Sequence, residues 1–318
     1  MQLSQSIPFT VVGGYLGSGK TTLLNHVLQN SNGRRLAMIV NDFGRINVDA
    51  SLIQVHDGEV LSLTNGCVCC SISTGLAEVL LQLSRRVPLP EHVIIEASGV
   101  ADPARVGYFG SQPPYRLDGV VVLADAENIR QRAADKYVGG TVLHQLQGAD
   151  LIVLNKIDLV SGSQHAELDI WLREQVPGAR IIATSHGKAS LAMLLGLHDT
   201  TVPSVEHHDH DHGDDYASWS LAIDKPMREA AFRAAIAAWP ETVLRAKGIV
   251  YLADDPRRQV FQLVGRRWSL TPDRAWGSDP PRTELVLLGL TGTLEGDELL
   301  ATLATAATHM QTTTKPTT

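Results

Sequence analysis

Gly14-Tyr15-Leu16-Gly17-Ser18-Gly19-Lys20-Thr21 follows the short apolar run FTVV and leads into a helix-like segment at 21 to 29. A strand that turns through glycines into a helix is tightly constrained, because its backbone N–H groups turn inward and the helix N-terminus adds partial positive charge. The G-x-x-x-x-G-K-[ST] spacing in that context makes a phosphate cradle. Lys20 is expected to reach the β- and γ-phosphates and the Thr21 hydroxyl to ligate Mg²⁺, with Gly14, Gly17, Ser18, Gly19 and Thr22 completing the cradle. The bland alternative is a chance glycine-rich turn.

Such a loop needs a sheet around it, and the chain supplies one. Short apolar runs (LAMIV, HVIIE, GVVVLAD, DLIVLNK, RIIATS) alternate with helix-like segments such as 75 to 86. This is the pattern of βαβ units, so residues 1–197 are expected to form a doubly wound, mainly parallel α/β sheet. Leu76, Val79, Leu80 and Leu83 recur at helical spacing and read as core facing that sheet. Asp57-Gly58, between alternating runs in 53 to 64, predicts a β-hairpin. At 198–215 the periodicity gives way to HDTTVPSVEHHDHDHGDD, read as a linker. Beyond it, 216–307 should form a smaller α+β domain: strands at Trp219 to Ile223, 243 to 252, 258 to 264 and Leu285 to Leu290, helices at Met227 to Ala238 and Gly296 to Ala307. The tail at 308–318 is expected to be disordered.

Composition narrows the function. With 44% apolar and 19% charged residues and no apolar run near the ~20 residues that span a bilayer, the composition is that of an ordinary soluble globular protein and membrane insertion is not expected. The polar stretch Met1 to Pro8 does not read as a signal peptide, which points to the cytoplasm. A net charge of −7 without a Lys/Arg cluster argues against a nucleic-acid partner. All three cysteines fall within 67 to 70, which suits a metal site better than a disulfide framework.

Asn155-Lys156-Ile157-Asp158, at a strand end, is similar to the N-K-x-D motif of GTPases. A carboxylate accepts both N1–H and N2–H of guanine, whereas adenine offers no such donor pair, so Asp158 would select GTP/GDP. Ser185, after the strand RIIA, sits where GTPases place a further base-contacting loop. Glu96 and Gly99, in Glu96-Ala97-Ser98-Gly99, stand where GTPases carry D-x-x-G. Glu96 is a catalytic and Mg²⁺ candidate, and the Gly99 N–H could sense the γ-phosphate. Asp42 and Asp49 are candidates for a switch segment, Asp49 as a further catalytic and Mg²⁺ residue; either could instead cap a helix or turn.

Cys67, Cys69 and Cys70 provide three thiolates, most of a tetrahedral site for a soft or borderline divalent ion. With GYLGSGKTT, the N-x-F-G segment at 41 to 44, GCVCC, IIEASG and NKID in this order, the chain resembles the CobW-type metallochaperone GTPases, relatives of the urease and hydrogenase maturation GTPases. The likeness covers nearly the whole chain, including RAKG at 245 to 248. It implies GTP-driven delivery of zinc, cobalt or a related metal to a client metalloprotein or cofactor-biosynthesis enzyme, and a possible homodimer. The family often reads N-E-F-G-E where this chain has Asn41-Asp42-Phe43-Gly44-Arg45, and Arg45 cannot bind a metal.

His207, His208, His210 and His212 are expected to take up metal weakly, since a flexible tract loses entropy on chelation; a solvated linker is the plain alternative. Two other functions compete: a metal buffer or sensor with nucleotide as a structural ligand, and a P-loop small-molecule kinase, which has no use for NKID.

Overall fold

The computed structural model describes residues 6–40, 59–62, 71–196, 216–290 and 296–308. The chain divides into two compact units, Met1–Leu197 and His198–Thr318.

In the first unit β1 (Ile7–Gly14), β2 (Leu36–Val40), β3 (Glu59–Ser62), β4 (His92–Glu96), β5 (Tyr115–Asp125), β6 (Leu151–Asn155) and β7 (Arg180–Thr184) form one sheet in the order β3-β2-β4-β1-β5-β6-β7. Every pairing in it is parallel. Strands β2, β4 and β6 are buried at every position, as expected where helices cover both faces of a parallel sheet. Those helices are α1 (Lys20–Gln29), α2 (Ser71–Leu83), α3 (Pro103–Gly110), α4 (Ile129–Ala134), α5 (Gly139–Gln147), α6 (Gly162–Gln175) and α7 (Leu191–Leu195).

Leu76, Leu80 and Leu83 of α2 are buried, with Val79 partly buried against the same core. The helix stops at Leu83, short of the expected 86, where the bonding tightens to i−3: Arg85 N donates to Gln82 O and Arg86 N to Leu83 O. Glu59–Ser62 pairs in parallel with β2; the other arm of the expected hairpin, at 53–58, lies outside the described residues.

The second unit is an antiparallel sheet, β8 (Tyr216–Ile223), β9 (Val243–Val250), β10 (Arg257–Val264), β11 (Arg267–Ala275) and β12 (Thr283–Leu290), in the order β11-β10-β9-β12-β8. Phe232, Ile236, Leu299 and Leu303, from α8 (Glu229–Ala237) and α9 (Gly296–Thr308), pack with Leu221, Phe261, Leu285 and Leu287 of the sheet. Helix α8 starts two residues later than expected, because Met227 bridges to Leu252 instead. β11 escapes the sequence pattern: its residues are mostly half-exposed or exposed, and Pro272 breaks the alternation. An edge strand tolerates both, since one of its hydrogen-bonding sides needs no partner.

Phe261 is fully buried, with its ring centroid 5.1 Å from that of Phe232 and 6.1 Å from that of Trp239. Phe261→Ala should destabilise this unit by about 3–5 kcal/mol, transfer and cavity terms together. Urea unfolding followed by tryptophan fluorescence measures it, and a midpoint equal to wild type would contradict this account of the core.

Candidate nucleotide site at the strand ends

The carboxyl ends of β1, β4, β5, β6 and β7 meet where the strand order reverses, the place at which open α/β sheets take ligands. Register sets their heights: Val12 stands beside Glu96, Asp125 beside Asn155, and Asn155 beside Thr184.

The glycine-rich loop runs from β1 into α1, which opens at Lys20 behind Gly19 at φ 101°. A β-carbon on Gly19 would lie 2.3 Å from Asn155 Nδ2, so glycine is required on two counts, conformation and space. Asn155 is 2% exposed. Its Nδ2 donates to Ser18 O at 2.9 Å and its Oδ1 accepts from Gly187 N at 3.0 Å, so one side chain joins the loop after β1 to the loop after β7.

Lys156 adopts a left-handed φ of 64°, uncommon for a residue with a side chain, and its Nζ donates to Asp125 Oδ2 at 2.8 Å. The chain then makes a 3₁₀ turn, Ile157–Leu159, which carries the Asp158 carboxylate. His186 Nε2 stands 3.8 Å from Asp158 Oδ2, and Ser185 O accepts from Lys188 N at 3.1 Å. Asn155, Lys156, Asp158 and Ser185 thus share one corner of the sheet edge.

At the other corner Lys20 is buried and its Nζ donates to Gly14 O at 3.0 Å. Thr21 is partly exposed and Thr22 exposed. The Ser18 hydroxyl is buried with no hydrogen-bond partner among the described residues. Glu96, 3% exposed, ends β4. A β-carbon at Gly99 would lie 2.5 Å from Leu16 Cδ2 and 3.1 Å from Leu16 N, so the Glu96–Gly99 segment abuts the glycine-rich loop directly. Thr21 and Glu96 offer only oxygen donors, the set that suits Mg²⁺.

Asp42, Asp49, Cys67, Cys69, Cys70, His207, His208, His210 and His212 lie outside the described residues. Among the described residues no group of three or more His, Cys, Asp or Glu is placed to hold a metal ion.

Three residues around this edge have no motif to announce them. Asp125 anchors Lys156. Arg132 of α4 holds its guanidinium 5.6 Å from the centre of the Tyr15 ring, and both line a cavity of about 220 Å³ with Ser18, Asp125 and Lys156. Gln145 of α5 is buried, with hydrogen bonds to the backbone of Gly99 and Ala101. A polar residue on the buried stripe of a helix is the one signal that marks Gln145 in the sequence.

A parallel sheet with a glycine-rich phosphate loop on its central strand, tied by an asparagine to a strand-end N-K-x-D segment, defines the P-loop GTPase fold. The CobW/HypB/UreG nucleotide-binding domain matches residues 8–183, and the cobalamin synthesis protein cobW C-terminal domain matches 216–307. The chain belongs to the CobW family. Among similar proteins, the zinc chaperone CobW of Sinorhizobium sp is 33% identical over an alignment covering 89% of this chain and 93% of that protein. The zinc chaperone YjiA of Escherichia coli is 31% identical, covering 89% and 94% respectively. The crystal structure of Zn(II)-bound YjiA GTPase from E. coli aligns over 94% of this chain and 98% of its own, at 26% identity and a TM-score of 0.45.

Asn155→Ala would leave the buried Ser18 carbonyl and Gly187 N–H without their shared partner. The expected cost is about 1–3 kcal/mol for each group left unsatisfied, read by urea denaturation. The Gly187 amide should also exchange faster with deuterium; wild-type protection there would show that the bridge does not hold the loop.

Proposed function

We propose that this protein is a GTP-hydrolysing metallochaperone, binding GTP with Mg²⁺ at the strand ends and carrying a transition metal on Cys67, Cys69 and Cys70 for transfer to a client. One observation carries the nucleotide half: Asn155 ties the phosphate loop to the N-K-x-D segment, so phosphate and base contacts sit at a fixed spacing. Lys20 and the backbone of Gly14, Gly17, Ser18, Gly19, Thr21 and Thr22 hold the phosphates, and the Gly99 N–H meets the γ-phosphate. The Thr21 hydroxyl, Glu96 and Asp49 hold the magnesium ion, which when bound neutralises charge on the β- and γ-phosphate oxygens. Asp158 accepts from N1–H and N2–H of guanine, Lys156 packs on the base, and Ser185 closes the other side. Glu96 and Asp49 orient the attacking water.

For the cargo, the support is the family and the names of the relatives, two of them zinc chaperones, together with the cysteine chemistry. Zinc is the first candidate and cobalt the second. The His tract, His207, His208, His210 and His212, captures the same ions more weakly. The recipient is a metalloprotein or a cofactor-biosynthesis enzyme.

Two charge-assisted hydrogen bonds to guanine, each about 1.5–3 kcal/mol, make Asp158→Ala lose on the order of 10²-fold or more in GTP affinity, while ATP binding stays as weak as before. Calorimetric titration checks this, and unchanged GTP affinity would remove the guanine-reading role. Replacing Cys67, Cys69 and Cys70 together with serine should abolish tight zinc binding and leave only the weak uptake of the His tract. Titrating zinc against the wild-type protein loaded with GDP, then with a slowly hydrolysed GTP analogue, tests coupling; identical affinities would show that nucleotide state does not govern the metal.

A further inference from the structure

Helix α5 carries Val142, Gln145 and Leu146 on one stripe, all buried. Val142 and Leu146 belong to the core of the first unit, and an apolar residue at 145 would continue it. Gln145 stands there instead, 2% exposed. A buried amide is costly unless it is hydrogen-bonded, and both N–H groups of this one have a partner. Nε2 donates to Gly99 O at 3.1 Å and to Ala101 O at 2.8 Å.

Those carbonyls belong to the segment that follows Glu96. Ala97 N donates to Val12 O, so the segment starts fixed to β1, and Ala101 N donates to Ser98 O, closing a turn. Asp102 then caps α3 through Ala104 N at 2.9 Å. His144, the residue before Gln145, has Nε2 3.1 Å from Asp102 Oδ2. One helix therefore grips three points within four residues: Gly99, Ala101 and Asp102. The far side of Gly99 meets Leu16 of the phosphate loop, with no room for a β-carbon. Gly99 is held between that loop and α5.

We infer that Gln145 is a positioning residue for GTP hydrolysis: its amide pins Gly99 and Ala101 at the phosphate corner and links α5 to what Gly99 senses there. This rests on the GTPase reading of the site. The amide N–H groups are both directed at backbone carbonyls, so Gln145 acts through Gly99 and Ala101. Its effect is to fix the Gly99–Val100 and Ala101–Asp102 peptides, which restricts Gly99 from its carbonyl side, so that the adjoining Gly99 N–H meets a γ-phosphate with less ordering still to be done. GDP has no γ-phosphate, so its binding does not use that N–H. Gln145 therefore acts on turnover and on GTP-analogue binding while leaving GDP binding alone. The same bonds pass strain the other way, so a phosphate that fixes Gly99 also steadies α5.

The test measures steady-state GTP hydrolysis, GDP affinity and GTP-analogue affinity for wild type, Gln145→Leu and Gln145→Glu, each with its melting temperature. Leucine keeps the volume and donates nothing; glutamate sets a carboxylate against two carbonyl oxygens. In both, kcat and GTP-analogue affinity should fall about tenfold or more while GDP affinity stays within about twofold. Wild-type kinetics in both variants would overturn the inference. So would an equal fall in GDP and GTP-analogue affinity, the mark of general loosening.

Should the variants fail to fold, hydrogen–deuterium exchange on the full wild-type chain decides. Amides of 139–148 should exchange more slowly with the GTP analogue than with GDP, and identical exchange would overturn the link. A wild-type protein that neither binds nor hydrolyses GTP would sink the proposed function itself. An active wild type indistinguishable from Gln145→Leu would sink this inference alone.

Discussion

The candidate site depends on one buried amide. Asn155 joins Ser18, in the loop after β1, to Gly187, in the loop after β7, although 137 and 32 residues of chain separate it from those partners. Hydrogen bonds of this kind are worth little net when water can replace them, but a buried amide that loses its partners costs far more than the bonds themselves contribute. That asymmetry makes the three loops a unit. It also explains Gly19, which must leave room for the Asn155 amide.

The sheet supplies the rigidity behind this. Parallel strands buried on both faces hold their ends at fixed heights, and the reversal of strand order opens a crevice above β1. Polar groups fill that crevice from several strands: Glu96 from β4, Asp125 from β5, Asn155 from β6. Asn155 is oriented by Ser18 and Gly187, and Asp125 by Lys156, partners that the sequence places far away. Charges brought this close in a partly desolvated crevice interact more strongly than they would in water. The second unit is built differently, as an antiparallel sheet with two helices on one face around Phe232 and Phe261.

The helices that flank the crevice do more than cover apolar surface. Arg132 of α4 lies over Tyr15 of the phosphate loop, and Gln145 of α5 holds the segment at Gly99. Two short helices therefore reach the two halves of the phosphate corner. The core residues around them, Ile129, Val142 and Leu146, are what keep these polar contacts in register.

The sequence by itself determined the local chemistry: the phosphate loop from its glycine spacing, the parallel sheet from apolar runs alternating with helical segments, and the family from five motifs in order. These are legible because each is encoded within a few adjacent residues or by a period of two or 3.6. It did not show that β11 exists, because an exposed edge strand with a proline has no alternation to betray it. Nor did it show that Asn155, read as part of a base-recognition motif, is the bridge between two other loops, or that Gln145 belongs to the site at all. Those facts depend on which strand ends become neighbours and which helix face turns inward. Only the packing of the whole sheet decided that, by bringing distant backbone groups within hydrogen-bond reach and excluding the water that would otherwise satisfy them.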